Sequence, residues 1–175
     1  IYPGVGKPAL SHVSFRLRSG EKTAVVGMNG SGKTMLVKLL CRLYDPFKET
    51  ILLNGTDIRE YIYEEYMQQF SVVFQDFKLL ALPLGENVGA ALDPISEHEI
   101  YSGFRRLIGE KTAVFISHRL SSCRFCDDIL VFHEGTLVQR GTHEELVNVK
   151  NGKYAELWQA QARYYEDGAM AGEAG

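Results

Sequence analysis

No apolar run in this 175-residue chain approaches the roughly 20 residues that a bilayer-spanning helix needs; stretches such as AVV at 24–26 and LVF at 130–132 are typical. The opening IYPGVGKPAL lacks the charged and apolar regions of a secretion signal. Net charge is only −3 and the pI about 6.0, so the basic footprint of a nucleic-acid binder is missing and any polyanion must be held by local geometry. Cysteine is scarce. Cys41, Cys123 and Cys126 make an odd count, which argues against a disulfide framework and is compatible with a reducing cytoplasm. The spacing Cys123-x-x-Cys126 invites a redox or zinc reading, but a second ligand pair is wanting, since Cys41, His118 and His133 are scattered. Two small buried residues at i, i+3 on a short helix, without a metal, is the expectation.

What is present is the composition of a soluble globular protein, 45% hydrophobic and 23% charged. VSFRL at 13–17 alternates like a half-buried strand, and KTAVVG at 22–27 reads as a strand buried in a parallel sheet. A helix over 33–43 follows. ILLNGTDI at 51–58 carries Asn54-Gly55, a strong hairpin signal. FSVVFQ at 70–75, KTAVFISH at 111–118 and DILVFHEG at 128–135 are further strands, the last turning at Glu134-Gly135 into TLVQRG. Tyr154, Leu157, Trp158, Gln161 and Tyr165 share one face of a C-terminal helix. The alternation predicts an α/β domain, a mainly parallel sheet flanked by helices, with an antiparallel β portion from the N-terminal strands.

GMNGSGKT at 27–34 satisfies G-x-x-x-x-G-K-[ST] directly after a predicted strand and at the start of a predicted helix. Glycines at 27, 30 and 32 let the backbone of Asn29, Ser31 and their neighbours turn N–H groups inward as a nest for phosphate oxygens. Lys33 would reach the β- and γ-phosphates, Thr34 would offer its hydroxyl to Mg²⁺, and the helix N-terminus adds positive potential. A guanine reader N-K-x-D is absent.

Four further stretches narrow the choice among P-loop NTPase folds. Tyr2 lies in IYPG, Gln75 ends a strand in VVFQDF, ALDP at 91–94 opens a helix, and His118 ends a strand in FISHRL. Together with GMNGSGKT, in this order, they make the chain resemble the nucleotide-binding domain of ATP-binding cassette transporters, and the ending DDILVFHEGTLVQRGTHEELV resembles the exporter-type branch. The resemblance implies ATP and Mg²⁺ as ligands, with Tyr2 stacking on adenine, Gln75 touching Mg²⁺ and the attacking water, His118 contacting the γ-phosphate, and Asp93 signalling across a sandwich of two such domains. Asp93-Pro94 is also an ordinary N-cap and first helical residue. It further implies a transmembrane domain and a second nucleotide-binding domain as partners, and a place on the cytoplasmic face of the membrane; the start at Ile1 suggests transmembrane helices upstream. Residues 1–165 would be one domain and 166–175 a disordered tail.

Between GENV and ALDP the family has a helical subdomain with an LSGGQ-type signature and the Walker B strand with its aspartate and catalytic glutamate. Here the step from Val88 to Leu92 is Gly89-Ala90-Ala91. At mean helix and strand lengths of about 11 and 5 residues, on the order of 70 residues are absent at this seam. Three readings follow: a Mg-ATP-binding exporter motor by descent, a non-catalytic module docking on a transmembrane partner, or a degenerate product.

Overall fold

A computed structural model describes residues 8–46, 48–69, 108–116 and 120–172. They divide into two compact units, one holding residues 8–9 and 34–69, the other 10–33 with 108–172.

The larger unit is built on a four-stranded sheet. Its centre is β1 (Lys22–Gly27), where Thr23 to Val26 are all buried. Such a run, β-branched and apolar on both faces, suits a parallel strand with neighbours on each side. β4 (Ala113–Ile116) and β5 (Asp128–His133) supply those neighbours, both parallel to β1, and β6 (Thr136–Gly141) adds antiparallel to β5, so the order is β4-β1-β5-β6. The β5–β6 turn is the predicted Glu134-Gly135, with φ of 48° and 79°. Two left-handed residues give the turn whose twist matches that of the strands it joins. Asp127 clips β5 to the start of β1: its N–H donates to the Lys22 carbonyl and its Oδ2 accepts from the Lys22 N–H, both at 2.8 Å.

One sheet face carries the core of this unit. Ala24 and Val26 of β1 and Ile129 and Val131 of β5 pack with Leu120, Cys123, Leu146 and Tyr154. These last four come from a 3₁₀ segment (Leu120–Phe125), a short helix α3 (His143–Val147) and the C-terminal helix α4 (Lys153–Gly172). Each buried aliphatic contributes about 1.5–3 kcal/mol. Thr142 and Glu145 form a reciprocal capping box that starts α3, and the Gln139 side chain of β6 accepts the Tyr154 N–H at the start of α4. The Tyr154 hydroxyl lies 2.8 Å from His143 Nδ1, and the His143 ring meets Trp158 edge-on at 4.7 Å. Leu157 and Trp158 pack against this cluster as the helical period requires.

In the smaller unit the hairpin forms as expected: β2 (Leu52–Leu53) and β3 (Thr56–Asp57) flank Asn54 and Gly55, both at positive φ. α2 (Tyr63–Met67) follows a 3₁₀ turn at Ile58–Glu60. α1 (Lys33–Leu40) ends three residues before the expected boundary at 43. Arg42 is the cause. It takes φ 52°, its N–H bonds to the Leu39 carbonyl, and the Leu43 N–H bonds to that of Lys38, which is the Schellman termination normally marked by glycine. The Arg42 guanidinium then bonds the carbonyls of Tyr61 and Arg59, so a tertiary hold offsets the roughly 1–2 kcal/mol of a left-handed non-glycine residue.

Residues 13–17 depart from expectation as well. Val13, Phe15 and Leu17 are half-buried and Ser14 and Arg16 exposed, as the alternation requires, yet they join no ladder among the described residues. The antiparallel pairs are β5–β6 and β2–β3 instead. Alternation reports which side faces the interior, and pairing needs a partner backbone besides. The predicted strand at 70–75 lies outside the described residues.

Burial of the His143 ring, helped by the Arg124 charge and opposed by Glu144, holds its pKa below the ordinary 6.5. The unfolded chain therefore takes up this proton first, so stability is complete above about pH 6.5 and falls as pH drops through the lower folded-state value. The thermal midpoint should decline between neutral pH and about pH 5, and the decline should be shallower in His143→Gln. Circular dichroism melts measure both slopes.

Candidate phosphate-binding site

β1 delivers the chain into the loop 27–34 at a point where no side chain fits. Gly27 has φ 150°, and a Cβ there would collide with the Phe132 carbonyl oxygen of β5 and lie 2.7 Å from Ser31 Oγ. The loop then turns outward: Met28, Asn29 and Gly30 are exposed, Gly30 at φ 79° with open space around it. It returns at Ser31, which is buried and whose N–H donates to the Met28 carbonyl at 3.1 Å. Gly32, at φ 104°, leads into α1.

The backbone of the β5–β6 turn supports this return. The Gly135 N–H donates to the Ser31 carbonyl at 3.1 Å, and the Gly135 carbonyl accepts from the Ser11 N–H at 2.8 Å. The sequence flagged Glu134-Gly135 as a turn but carried no signal that its peptide would brace the loop, since that contact joins segments a hundred residues apart.

Lys33 is the loop's charged group and is only 5% exposed. Its ammonium donates to the carbonyls of Gly27 at 2.7 Å and Met28 at 2.9 Å, with Ser31 Oγ at 3.5 Å. Burial lowers its pKa, and among the described residues no carboxylate forms an ion pair with it. Three neutral oxygens solvate the cation without cancelling its charge. A buried cation so held is matched to an arriving anion, which would offset the desolvation. Gly30 leaves the outer side of the loop clear for such a group, and the first N–H groups of α1 lack partners within the helix. Thr34, which follows, is exposed.

The structure thus brings together Gly27, Asn29, Gly30, Ser31, Gly32 and Lys33. Tyr2, Gln75, Asp93 and His118 lie outside the described residues, as does the seam at 88–92. β4, the strand that precedes His118, does lie beside β1, with Ile116 opposite Val25. Of the paired cysteines, Cys123 is buried as expected, whereas Cys126 is half-buried and follows a 3₁₀ segment.

A family model described as ABC transporter matches residues 10–125, well over half of the chain. The chain belongs to the ABC transporter family. It is 30% identical to the subtilin transport ATP-binding protein SpaT of Bacillus subtilis, over 84% of this chain and 36% of that protein. It is 29% identical to the ATP-dependent lipid A-core flippase of Vibrio vulnificus, over 91% of this chain and 39% of the relative. A solved structure of a bacterial Atm1-family ABC exporter with ATP bound matches 88% of this chain and 39% of its own length, at 25% identity and a TM-score of 0.70. The chain therefore spans little more than a third of the length of these relatives. The alignment to the flippase runs over 230 positions, more than the 175 residues this ABC chain possesses, so the relative carries tens of residues with no counterpart here.

The two loop glycines should respond differently to a methyl group. Gly30→Ala meets only the backbone penalty, about 1–2 kcal/mol, whereas Gly27→Ala adds a collision with β5, typically about 1–3 kcal/mol more. Chemical denaturation of both variants should rank Gly27→Ala clearly lower.

Proposed function

We propose that residues 1–165 act as one nucleotide-binding module of an ABC exporter, on the cytoplasmic face of a membrane, and that the module binds ATP with Mg²⁺ without hydrolysing it efficiently. The observation that carries this reading is Lys33, a buried cation solvated by loop carbonyls and unmatched by an acid among the described residues. On binding, the ammonium exchanges carbonyl contacts for β- and γ-phosphate oxygens, while loop N–H groups and the start of α1 hold the remaining charge. Thr34, exposed after the loop, and Gln75 would hold Mg²⁺, which would supply positive charge against the nucleotide phosphates. Tyr2 would stack on the adenine, His118 would contact the γ-phosphate, and Asp93 would face a second nucleotide-binding domain. A transmembrane domain is the other partner in this reading; no helix among the described residues is long and apolar enough to cross a membrane.

The hydrolytic half of the proposal rests on what lies between Val88 and Leu92. A carboxylate to orient water, a carboxylate behind the Mg²⁺ and signature-loop donors from a partner are each needed to stabilise the transition state, and GENVGAALDP contains no segment that supplies them. Glu86, Asp93 and Glu97 are the nearest acids in sequence, but catalytic placement tolerates only about 0.5 Å. The alignment excess over relatives supports the same reading.

Lys33→Ala should weaken ATP binding by about 1.5–3 kcal/mol, the value of a hydrogen bond to a charged group, or roughly ten- to a hundredfold in Kd. Equilibrium titration with a fluorescent ATP analogue measures this, and unchanged affinity would remove Lys33 from the site. Steady-state phosphate release should be no faster than in Lys33→Ala; turnover that vanishes in the variant would show that another acid serves.

A further inference from the structure

The phosphate loop contains a chemically labile dipeptide, Asn29-Gly30, which is one of three Asn-Gly steps in the chain, with Asn54-Gly55 and Asn151-Gly152. At such a step the glycine backbone nitrogen can reach the asparagine side-chain carbonyl, because no Cβ obstructs the approach and glycine lets the backbone rotate. The structure separates the three. The Gly152 N–H donates to the Val149 carbonyl at 2.9 Å, Gly152 is buried, and the Gln139 and Val149 side chains crowd it. Asn54, at φ 52°, is fixed by the β2–β3 ladder, which must open before its peptide can rotate. Asn29 and Gly30 are both exposed, with open space around Gly30. The Ser31 N–H bond to the Met28 carbonyl, with Gly30 at φ 79°, makes 28–31 a type II turn whose central peptide is Asn29-Gly30. The Gly30 N–H takes no part in that bond, and among the described residues it donates to no carbonyl.

We propose that Asn29 is a site of spontaneous covalent modification, by deamidation with water as co-reactant, and that its conversion switches off the phosphate loop. The Gly30 backbone nitrogen, losing its proton to solvent, bonds to the side-chain carbonyl carbon of Asn29. The bond from that carbon to the amide nitrogen breaks and ammonia leaves, so a succinimide ring joins the two residues. Water then opens either ring carbonyl. The products are aspartate, with the main chain unchanged, and isoaspartate, with an extra methylene in it. One water is consumed and one ammonia released, with no redox change. Loop 27–34 has a single charged side chain, the buried Lys33 cation. A carboxylate at position 29 opposes that charge within the same loop and repels an arriving phosphate. The isoaspartyl form also lengthens the turn that returns Ser31 to the Gly135 N–H. The empty loop ages in this way, and a phosphate group that fixes the turn and engages its N–H groups slows the reaction. The switch rests on the nucleotide-binding reading of the loop; the chemistry at Asn29 does not.

The test uses the full chain, fresh or aged in mildly alkaline buffer with and without Mg-ATP, digested and mapped by peptide mass spectrometry, and titrated with a fluorescent ATP analogue. Asn29 should convert to its acid forms well ahead of Asn54 and Asn151, and more slowly with Mg-ATP present. In urea the three rates should converge. The converted chain should bind the analogue about tenfold more weakly or worse. Asn29→Gln, whose longer side chain cyclises far more slowly, should keep on ageing the affinity it has when fresh, and fresh Asn29→Asp should bind about as weakly as the converted chain. Conversion of Asn54 or Asn151 ahead of Asn29, or a ranking unchanged in urea, would overturn the assignment of the site. Complete conversion of Asn29 with affinity unchanged, or an equal loss on ageing in Asn29→Gln, would overturn the switch. A fresh chain that binds no analogue would sink the nucleotide reading and the switch with it, while the order of conversion among the three asparagines still decides the site.

Discussion

The site depends on one close approach, that of the β1 backbone to β5 at Gly27. The two strands run in parallel register from Thr23 opposite Asp128 to Gly27 opposite Phe132. At the last pair a side chain has no room. That contact sets where β1 stops and how far the loop must swing before Ser31 returns to the β5–β6 turn. Parallel pairing on both sides of β1 makes it rigid, because every residue from Thr23 to Val26 is buried and interior packing resists displacement.

Rigidity at the loop's base is what makes its charge useful. An ammonium on a flexible exposed loop would be hydrated and cheap to neutralise by solvent ions. Lys33 is instead withdrawn from water and held by carbonyls that belong to the same turn. Its energy is lowered by an anion more than that of a surface lysine would be, since the local dielectric is lower. Fold and binding thus meet in the same few peptide groups: the carbonyls of Gly27 and Met28 end the strand and also cradle the cation.

Much of this was readable beforehand. Local rules identified the loop, both turns and the central strands, because a buried parallel strand, an Asn-Gly hairpin and a G-x-x-x-x-G-K-T loop each carry their cause in neighbouring residues. The misreadings share one feature. Arg42 ends α1 without a glycine because Tyr61 and Arg59 carbonyls hold it; residues 13–17 alternate without pairing; Cys126 stays at the rim while Cys123 is sealed. Each turns on contacts between segments remote in sequence, made or missing, which periodicity cannot report.

The amino-acid sequence by itself determined the strand character of 22–27 and 128–133, the turns at 54–55 and 134–135, and the presence of a phosphate loop, since backbone freedom and side-chain patterning act over a few residues. Tertiary structure alone decided that β1 lies between β4 and β5, that the Gly135 peptide braces Ser31, that Lys33 is buried against carbonyls, and that the two cysteines differ in access. Those depend on which distant segments come together, and burial and hydrogen bonding between them exist only once the chain has folded.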